Sequence, residues 1–213
     1  EDKYDYITVQ EIFFYECYKI DSFQIFEKIK KYTETKNILI IDCGSNIGCS
    51  TSYFLNTYTN SKIISIEPDK RNFDLLKKNI LDGNVKLINN AISSEAIKYE
   101  ILDNKDSRAK SIIKSDKDNL VKSLTINEIL DDKNYKNLDP FLIKIDIEGH
   151  EKDLFNSNTE WFNRFKIIII EIHDWMLPEQ NISKKYFNTL VNSMKVSNRD
   201  IIIKGENIIS IKL

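Results

Sequence analysis

The chain has 213 residues, 41% of them hydrophobic and 30% charged, with a formal net charge of −2. That length and balance suit one domain with a substantial core, lack the basic excess of a protein that lives on nucleic-acid phosphates, and contain no apolar run near the roughly 20 residues of a membrane span. The opening EDKYDYITVQ is too acidic and polar for a secretory signal, and three cysteines (Cys17, Cys43, Cys49) make neither a disulfide framework nor a zinc knuckle, so a cytoplasmic, reducing location is expected.

Residues 1–35 read as a helical extension: Ile20, Phe23, Phe26 and Ile29 recur every three positions and would lie on one helical stripe packed on the main domain. Tyr4, Tyr6, Tyr15 and Tyr18 could instead cover a substrate pocket. Residues 36–213 alternate. NILIIDC is a buried strand, 50–58 a short helix, and KIISIE a second strand. DKRNFDLLKKNIL is a helix with Phe73, Leu76 and Ile80 on one face; VKLINNAI is a third strand. IKYEIL alternates and would pair with a neighbour somewhere in 108–126. TINEIL starts as a capped helix, with Thr125 three before Glu128. FLIKID is a fourth strand followed by a helix over about 149–157; KIIIIEIH is a fifth, followed by a helix near 183–195. DIIIKGENIISIKL is a hairpin turning at Gly205. Apolar strands alternating with helices imply an open, doubly wound, mostly parallel sheet with an antiparallel hairpin at one edge.

Ligands of such sheets bind outside the carboxyl ends of the strands. Acids stand at four of the five parallel strand ends: Asp42, then Glu67 and Asp69 around Pro68, then Asp146 and Glu148, then Glu171 and Asp174; the third ends at Asn90 and Ala91. The first end reads Asp42-x-Gly44-Ser45-Asn46-x-Gly48. A pyrophosphate-binding turn wants glycine where Asp42 stands, and a carboxylate there would repel phosphate. The Gly-Lys-Ser/Thr of a P-loop is absent too. A ligand with an ammonium, a sulfonium and no phosphate fits better, and S-adenosylmethionine is such a ligand. Gly44 would let the backbone pass close to it, Asp42 would accept from its ammonium directly or through water, and Gly48 would permit tight helix–strand contact. Glu67, 25 residues after Asp42, would take both ribose hydroxyls on its two oxygens.

IDCGSNIG, SIEPDKRNFDLLKKNI, NNAIS, KIDIEGHE and IIIIEIH, in this order across 38–175, resemble the FkbM-type S-adenosylmethionine-dependent methyltransferases. The resemblance implies the class I methyltransferase fold, Rossmann-like, with seven sheet strands, the last inserted antiparallel. It implies O-methylation of a sugar, a glycan or another small metabolite. Position by position, it assigns Asp42, Gly44, Asn46 and Gly48 to the cofactor loop, and Glu67 with Pro68 and Asp69 to the ribose. Asn90 and Ala91 fall alongside adenine, Asp146, Glu148, Gly149 and Glu151 in the fourth-strand box, and Glu171 and His173 in the fifth. The charged segment 103–119 departs from the Gly/Ser-rich turn the family often has there, which leaves Ser107 and Ser111 without an assigned contact.

A sugar hydroxyl is nearly un-ionised at neutral pH, so a general base helps. His173 is the first candidate by its intrinsic pKa, with Glu171 two residues before it on the same strand face; Asp146 is the second. A third reading puts Mg²⁺, Mn²⁺ or Ca²⁺ among Asp146, Glu148, Glu171 and His173, but a metal-free site ranks ahead of it. His150, early in a helix, is expected to face solvent, and Glu148 and Glu151 to cap that helix. Two other functions compete with a small-molecule or glycan O-methyltransferase. One is a degenerate methyltransferase fold serving as a binding module, which the intact loop, Glu67 and His173 disfavour. The other is a nucleic-acid methyltransferase, which the balanced charge and the IDIEGHE box disfavour.

Overall fold

The computed structural model describes residues 3–20, 24–101, 112–114 and 121–212. In chain order the elements are α1 (Lys3–Val9), which continues into a π-helical turn at Gln10–Phe14; α2 (Phe26–Thr35); β1 (Ile38–Cys43); α3 (Cys49–Thr57); β2 (Ser61–Ile66); α4 (Lys70–Asn79); β3 (Val85–Ile88); β4 (Ala91–Ile92); β5 (Lys98–Ile101); β6 (Ile112–Lys114); β7 (Val121–Leu124); α5 (Ile126–Asp131); β8 (Asp139–Ile145); α6 (Glu151–Leu154); a 3-10 turn at Glu160–Asn163; β9 (Ile167–Glu171); α7 (Ile182–Met194); β10 (Asp200–Lys204); and β11 (Asn207–Ile211).

Strands apolar at every position must be covered on both faces. β1 is buried along its whole length. Leu39, Ile41 and Cys43 join a core that includes Ile129, Trp161, Phe162 and Tyr186, while Ile38 and Ile40 join a second core with Phe54, Phe141 and Ile169. The main sheet has seven strands in the order β10-β11-β9-β8-β1-β2-β3. The five strands from β9 to β3 run parallel, and β11 is antiparallel to both β9 and β10. This is the doubly wound sheet with a C-terminal hairpin expected from the pattern. The register sets Asp42 beside Ser65 on one side and Lys144 on the other, which decides what surrounds that carboxylate. Thr125 and Glu128 form the expected capping box at the start of α5.

Three expectations are corrected. VKLINNAI is two strands in two sheets, because β4 leaves the main sheet to pair with β7. Asn89 marks the break: its side-chain amide donates to the carbonyls of Glu67 (2.8 Å) and Pro68 (2.9 Å), tying the crossover to the end of β2. β5 pairs with β6 and β7, completing a second sheet of four strands. The helix expected over 149–157 is only the four residues of α6, and Glu148 and Gly149 at φ +55° and +89° delay its start. The 20–29 stripe is not one helix. α2 begins only at Phe26, and Ile20 is buried from an irregular segment; Phe23 lies outside the described residues, as do Ser107 and Ser111. Ile12, Tyr18, Ile20 and Ile29 pack into the second core, so the N-terminal segment lies against the strands. Among the described residues no helix is long and apolar enough to cross a membrane.

Candidate active site

The carboxyl ends of β1, β2, β8 and β9 surround a cavity of about 600 Å³ that the N-terminal segment partly roofs through Ile12, Cys17 and Tyr18, a volume within the range of small-molecule sites. Ser45, Asn46, Glu67, Pro68, Asp69, Asn90, Ala91, Asp146, Glu171 and His173 all line it, together with Gly44.

Gly44 and Gly48 sit at φ +81° and +100°, where side chains are strained. A Cβ on Gly44 would fall 1.8 Å from the Asp146 carbonyl oxygen, so the close approach it permits is to the backbone at the end of β8. A Cβ on Gly48 would meet Leu76 and Ile80 at 2.8 and 3.0 Å, so that glycine serves contact with α4 and the residue ending it. The amides of the loop are largely spoken for. Gly44 and Ser45 donate to the Ile66 carbonyl (both 3.0 Å), Asn46 to Glu67 Oε2 (2.8 Å) and Gly48 to the Ser45 carbonyl (2.8 Å). Such a loop offers no nest of free amides to a phosphate.

Asp42 lies beneath the cavity and is fully buried. Its Oδ2 accepts from Ser50 Oγ and Thr51 Oγ1 (both 2.7 Å), and Thr51 in turn meets Ser65 Oγ at 2.7 Å. Its Oδ1 has no hydrogen bond and faces Lys144 Nζ at 3.7 Å. Lys144, 2% exposed, donates to the Gly44 carbonyl (2.8 Å) and pairs with Asp146 Oδ2 (3.2 Å). Burial would drain its proton, but Asp146, Tyr18 and Asp42 outweigh that and hold its pKa well above the usual lysine value. The ammonium that meets Asp42 is therefore the protein's own, and it ties the Gly44 loop to the fourth-strand carboxylate.

Glu67 is 6% exposed and accepts two backbone amides, from Asn46 on Oε2 (2.8 Å) and Asp69 on Oε1 (2.9 Å). Burial raises its pKa from 4.5 to about 7 against the pull of those amides. Asp69 caps α4, its Oδ1 accepting from the Arg71 and Asn72 amides, both at 3.0 Å.

At the opposite wall, His173 is 1% exposed. Its Nδ1 donates to Glu151 Oε1 at 3.0 Å, and that oxygen also accepts from the Ile147 amide at 3.1 Å. Its Nε2 lies 3.3 Å from Glu171 Oε1, 3.6 Å from Glu148 Oε2 and 3.8 Å from Asp146 Oδ1. Burial would lower the imidazole's pKa, but the bonds to Glu151 and Glu171 and the surrounding charge raise it to about 11. Burial, then Asp146, pushes Glu148 up to about 8, and burial raises Glu171 too. With those neighbours alone, the surrounding carboxylates favour the protonated imidazole.

The family model for the methyltransferase FkbM domain matches residues 42–201, from the Gly44 loop into the C-terminal hairpin. The chain belongs to the FkbM methyltransferase family. As a member it is an S-adenosylmethionine-dependent methyltransferase. No curated protein sequence matches the chain. Among solved structures, a protein described as an rRNA methylase from Clostridium thermocellum shares 8% identity over 88% of this chain and 95% of its own, with a TM-score of 0.50. One described as a caffeoyl-CoA O-methyltransferase from Staphylococcus aureus shares 14% over 100% and 93%, at 0.48. A methyltransferase from Geobacter sulfurreducens shares 14% over 86% and 75%, at 0.44. The first of these likenesses, at so low an identity, speaks to fold alone, the class I methyltransferase fold.

The FkbM site suits that cofactor on its own chemistry. Its loop leaves little for a phosphate, while acids at the ends of β2, β8 and β9 favour a cationic ligand. Three residues of this site carry more than the sequence reading gave them. Lys144 had a signal, a lysine inside a strand buried on both faces, which must find partners. His150 is 4% exposed and not solvent-facing: it lines the cavity, its ring stands edge-on to Tyr99 at 4.3 Å, and neither ring nitrogen has a hydrogen bond. Burial lowers its pKa. The turn at Glu148 and Gly149 directs it inward, and helical periodicity cannot foresee that turn. Glu151, expected to cap a helix, is fully buried and orients His173 instead.

Proposed function

We propose that the protein methylates a hydroxyl oxygen of a sugar, a glycan or another small metabolite in the reducing cytoplasm, where its three unpaired cysteines would stay free. One observation carries the reading: Glu67 and the Asp146, Glu171 and His173 group open into the same cavity of about 600 Å³. When bound, S-adenosylmethionine supplies a methyl group already activated on sulfur, so the protein's work is mainly alignment. Glu67 spends one lone pair of each oxygen on a backbone amide and keeps others for a vicinal diol. Asn90 and Ala91 line the same cavity and would border the adenine, and Lys144 holds the Gly44 loop and Asp146 in one frame. The acceptor hydroxyl meets Asp146, Glu171 and His173. A carboxylate of that group would orient the hydroxyl toward the activated methyl and take up its proton during transfer. Tyr15 and Trp175, 71% and 74% exposed, border the cavity and offer ring faces to an acceptor that is apolar on one side and polar on the other.

Thermal-shift binding of S-adenosylhomocysteine, NAD and ATP side by side, followed by transfer of labelled methyl to sugar nucleotides and glycans, tests this. The expected result is a shift with the first compound alone and label on oxygen. Label on nitrogen, or a shift with NAD or ATP instead, would overturn it. Asp146→Asn should lower kcat about tenfold or more, with S-adenosylhomocysteine affinity in calorimetry nearly unchanged; equal loss of both would remove Asp146 from the acceptor side.

A further inference from the structure

We propose that Asp146, Glu171 and His173 form a binding site for one divalent cation of the magnesium–manganese class, with Glu148 beside it, and that the cation receives the acceptor hydroxyl. This deepens the O-methyltransferase reading and rests on it. The donor atoms of Asp146, Glu171 and His173 lie within 4.8 Å of one another. Ligands at about 2.0–2.2 Å from an ion stand about 3 Å apart when adjacent and about 4.3 Å when opposite. The separations of 3.3 Å from Nε2 to Glu171 Oε1 and 3.8 Å to Asp146 Oδ1 fall in that interval.

Three carboxylates converge on Nε2 of His173, at 3.3, 3.6 and 3.8 Å, and a single N–H cannot serve three acceptors. Neighbouring cations do not fill the gap, since Lys144 pairs with the other oxygen of Asp146, at 3.2 Å. Independently, Glu151, behind His173, is fully buried yet its Oε2 has no hydrogen-bond partner, an acceptor that the protein's own donors leave unserved. Glu151 Oε1, pinned by the Ile147 amide, takes the Nδ1–H of His173 and leaves Nε2 directed at the carboxylates. A buried carboxylate that fixes an imidazole so that its far nitrogen is the ligand is the usual outer support of a metal-bound histidine. One imidazole with several carboxylates suits Mn²⁺ or Mg²⁺ better than a thiol-seeking ion. Bound there, the cation would lower the pKa of a coordinated hydroxyl and hold it against the cavity wall.

The test uses the full-length protein, dialysed against EDTA and titrated with Mn²⁺ by calorimetry and electron paramagnetic resonance. The expected result is one saturable Mn²⁺ per chain, displaced by Mg²⁺, with a nitrogen modulation in the pulsed spectrum. His173→Ala should abolish that modulation, and Asp146→Asn and Glu171→Gln should each weaken binding at least tenfold. Glu67→Gln, on the other wall, should leave it unchanged. Melting curves of every variant confirm folding, and Glu171→Gln, which keeps the side chain's shape, still answers if His173→Ala fails to fold. No saturable binding at millimolar Mn²⁺, binding indifferent to these substitutions, or a spectrum without nitrogen would overturn the site. S-adenosylhomocysteine binding to the same EDTA-treated protein separates the two readings. If it persists without Mn²⁺ binding, only the cation site falls; if it is absent while Mn²⁺ binds, the cofactor reading falls.

Discussion

Lys144→Met is expected to destabilise the protein by about 3–5 kcal/mol, the cost of breaking a buried ion pair from one side, and to lower the melting temperature by roughly 6–20 °C for a chain of this size. Methionine fills nearly the same volume, so packing changes little and the effect isolates the charge. Lys144 is 2% exposed and Asp42 is fully buried beside it, while the Gly44 carbonyl to which it donates is partly buried. Without the ammonium, Asp42 Oδ1, which already lacks a hydrogen bond, becomes an uncompensated buried charge. The Gly44 carbonyl loses its donor and Asp146 its partner at 3.2 Å. Because the neighbouring carboxylates hold the lysine's pKa well above its usual value, raising the pH within the folded range should not mimic the substitution. The double variant Lys144→Met, Asp42→Asn should recover half or more of the loss, since it removes both charges and keeps an acceptor for Ser50 and Thr51. Thermal and urea unfolding of the two variants measure this. A single-variant loss below about 1 kcal/mol would mean that water, not Asp42, compensates the ammonium.

The same residue shows where sequence reasoning stopped. The parallel strands were legible because runs such as Ile38 to Ile41 and Ile167 to Ile170 are apolar at every position and admit one kind of sheet. Strand order was legible only as a class, since each helix crosses to an unspecified neighbour. The ends of the strands were legible because an acid after an apolar run needs an explanation; that brought Glu67, Asp146, Glu171 and His173 to one cavity. It did not separate acids that face the cavity from acids that brace it. Asp42 read as a ligand contact, yet it lies under the loop, whereas Gly48 makes the tight helix contact expected of it, against α4. A carboxylate's role depends on which strand lies beside it, and the Asp42–Lys144 pairing exists only once β1 and β8 are adjacent. The left-handed turn at Glu148 and Asn89's hold on the β2 end are decided by single side chains and backbone angles for which the hydrophobic pattern carries no signal.

Glu67→Gln is expected to move stability and ligand affinity in opposite directions. The folded protein holds the Glu67 proton to about 7 against 4.5 for the free group. The folded state therefore binds that proton more tightly than the unfolded chain does. The resulting stability is fully present below 4.5 and is lost as pH rises through about 7. A shift of that size corresponds to about 3 kcal/mol at one pKa unit per roughly 1.4 kcal/mol. Glutamine mimics the protonated acid. It retains one acceptor for the Asn46 or Asp69 amide and forfeits the second bond, which returns about 1 kcal/mol. The variant should thus melt several degrees above wild type at pH 8, the net of about 1–2 kcal/mol. Its affinity for S-adenosylhomocysteine should fall about a hundredfold, because two hydroxyls lose a charged acceptor worth about 1.5–3 kcal/mol per bond. In wild type the affinity should weaken as the pH drops below about 7, with proton release on binding, while the variant's stays flat. Calorimetry in buffers of different ionisation enthalpy, from about pH 5 to 8, measures affinity and proton release together. A variant that melts lower yet binds as tightly as wild type would show that Glu67 holds the Asn46 and Asp69 amides for the fold and never meets the diol.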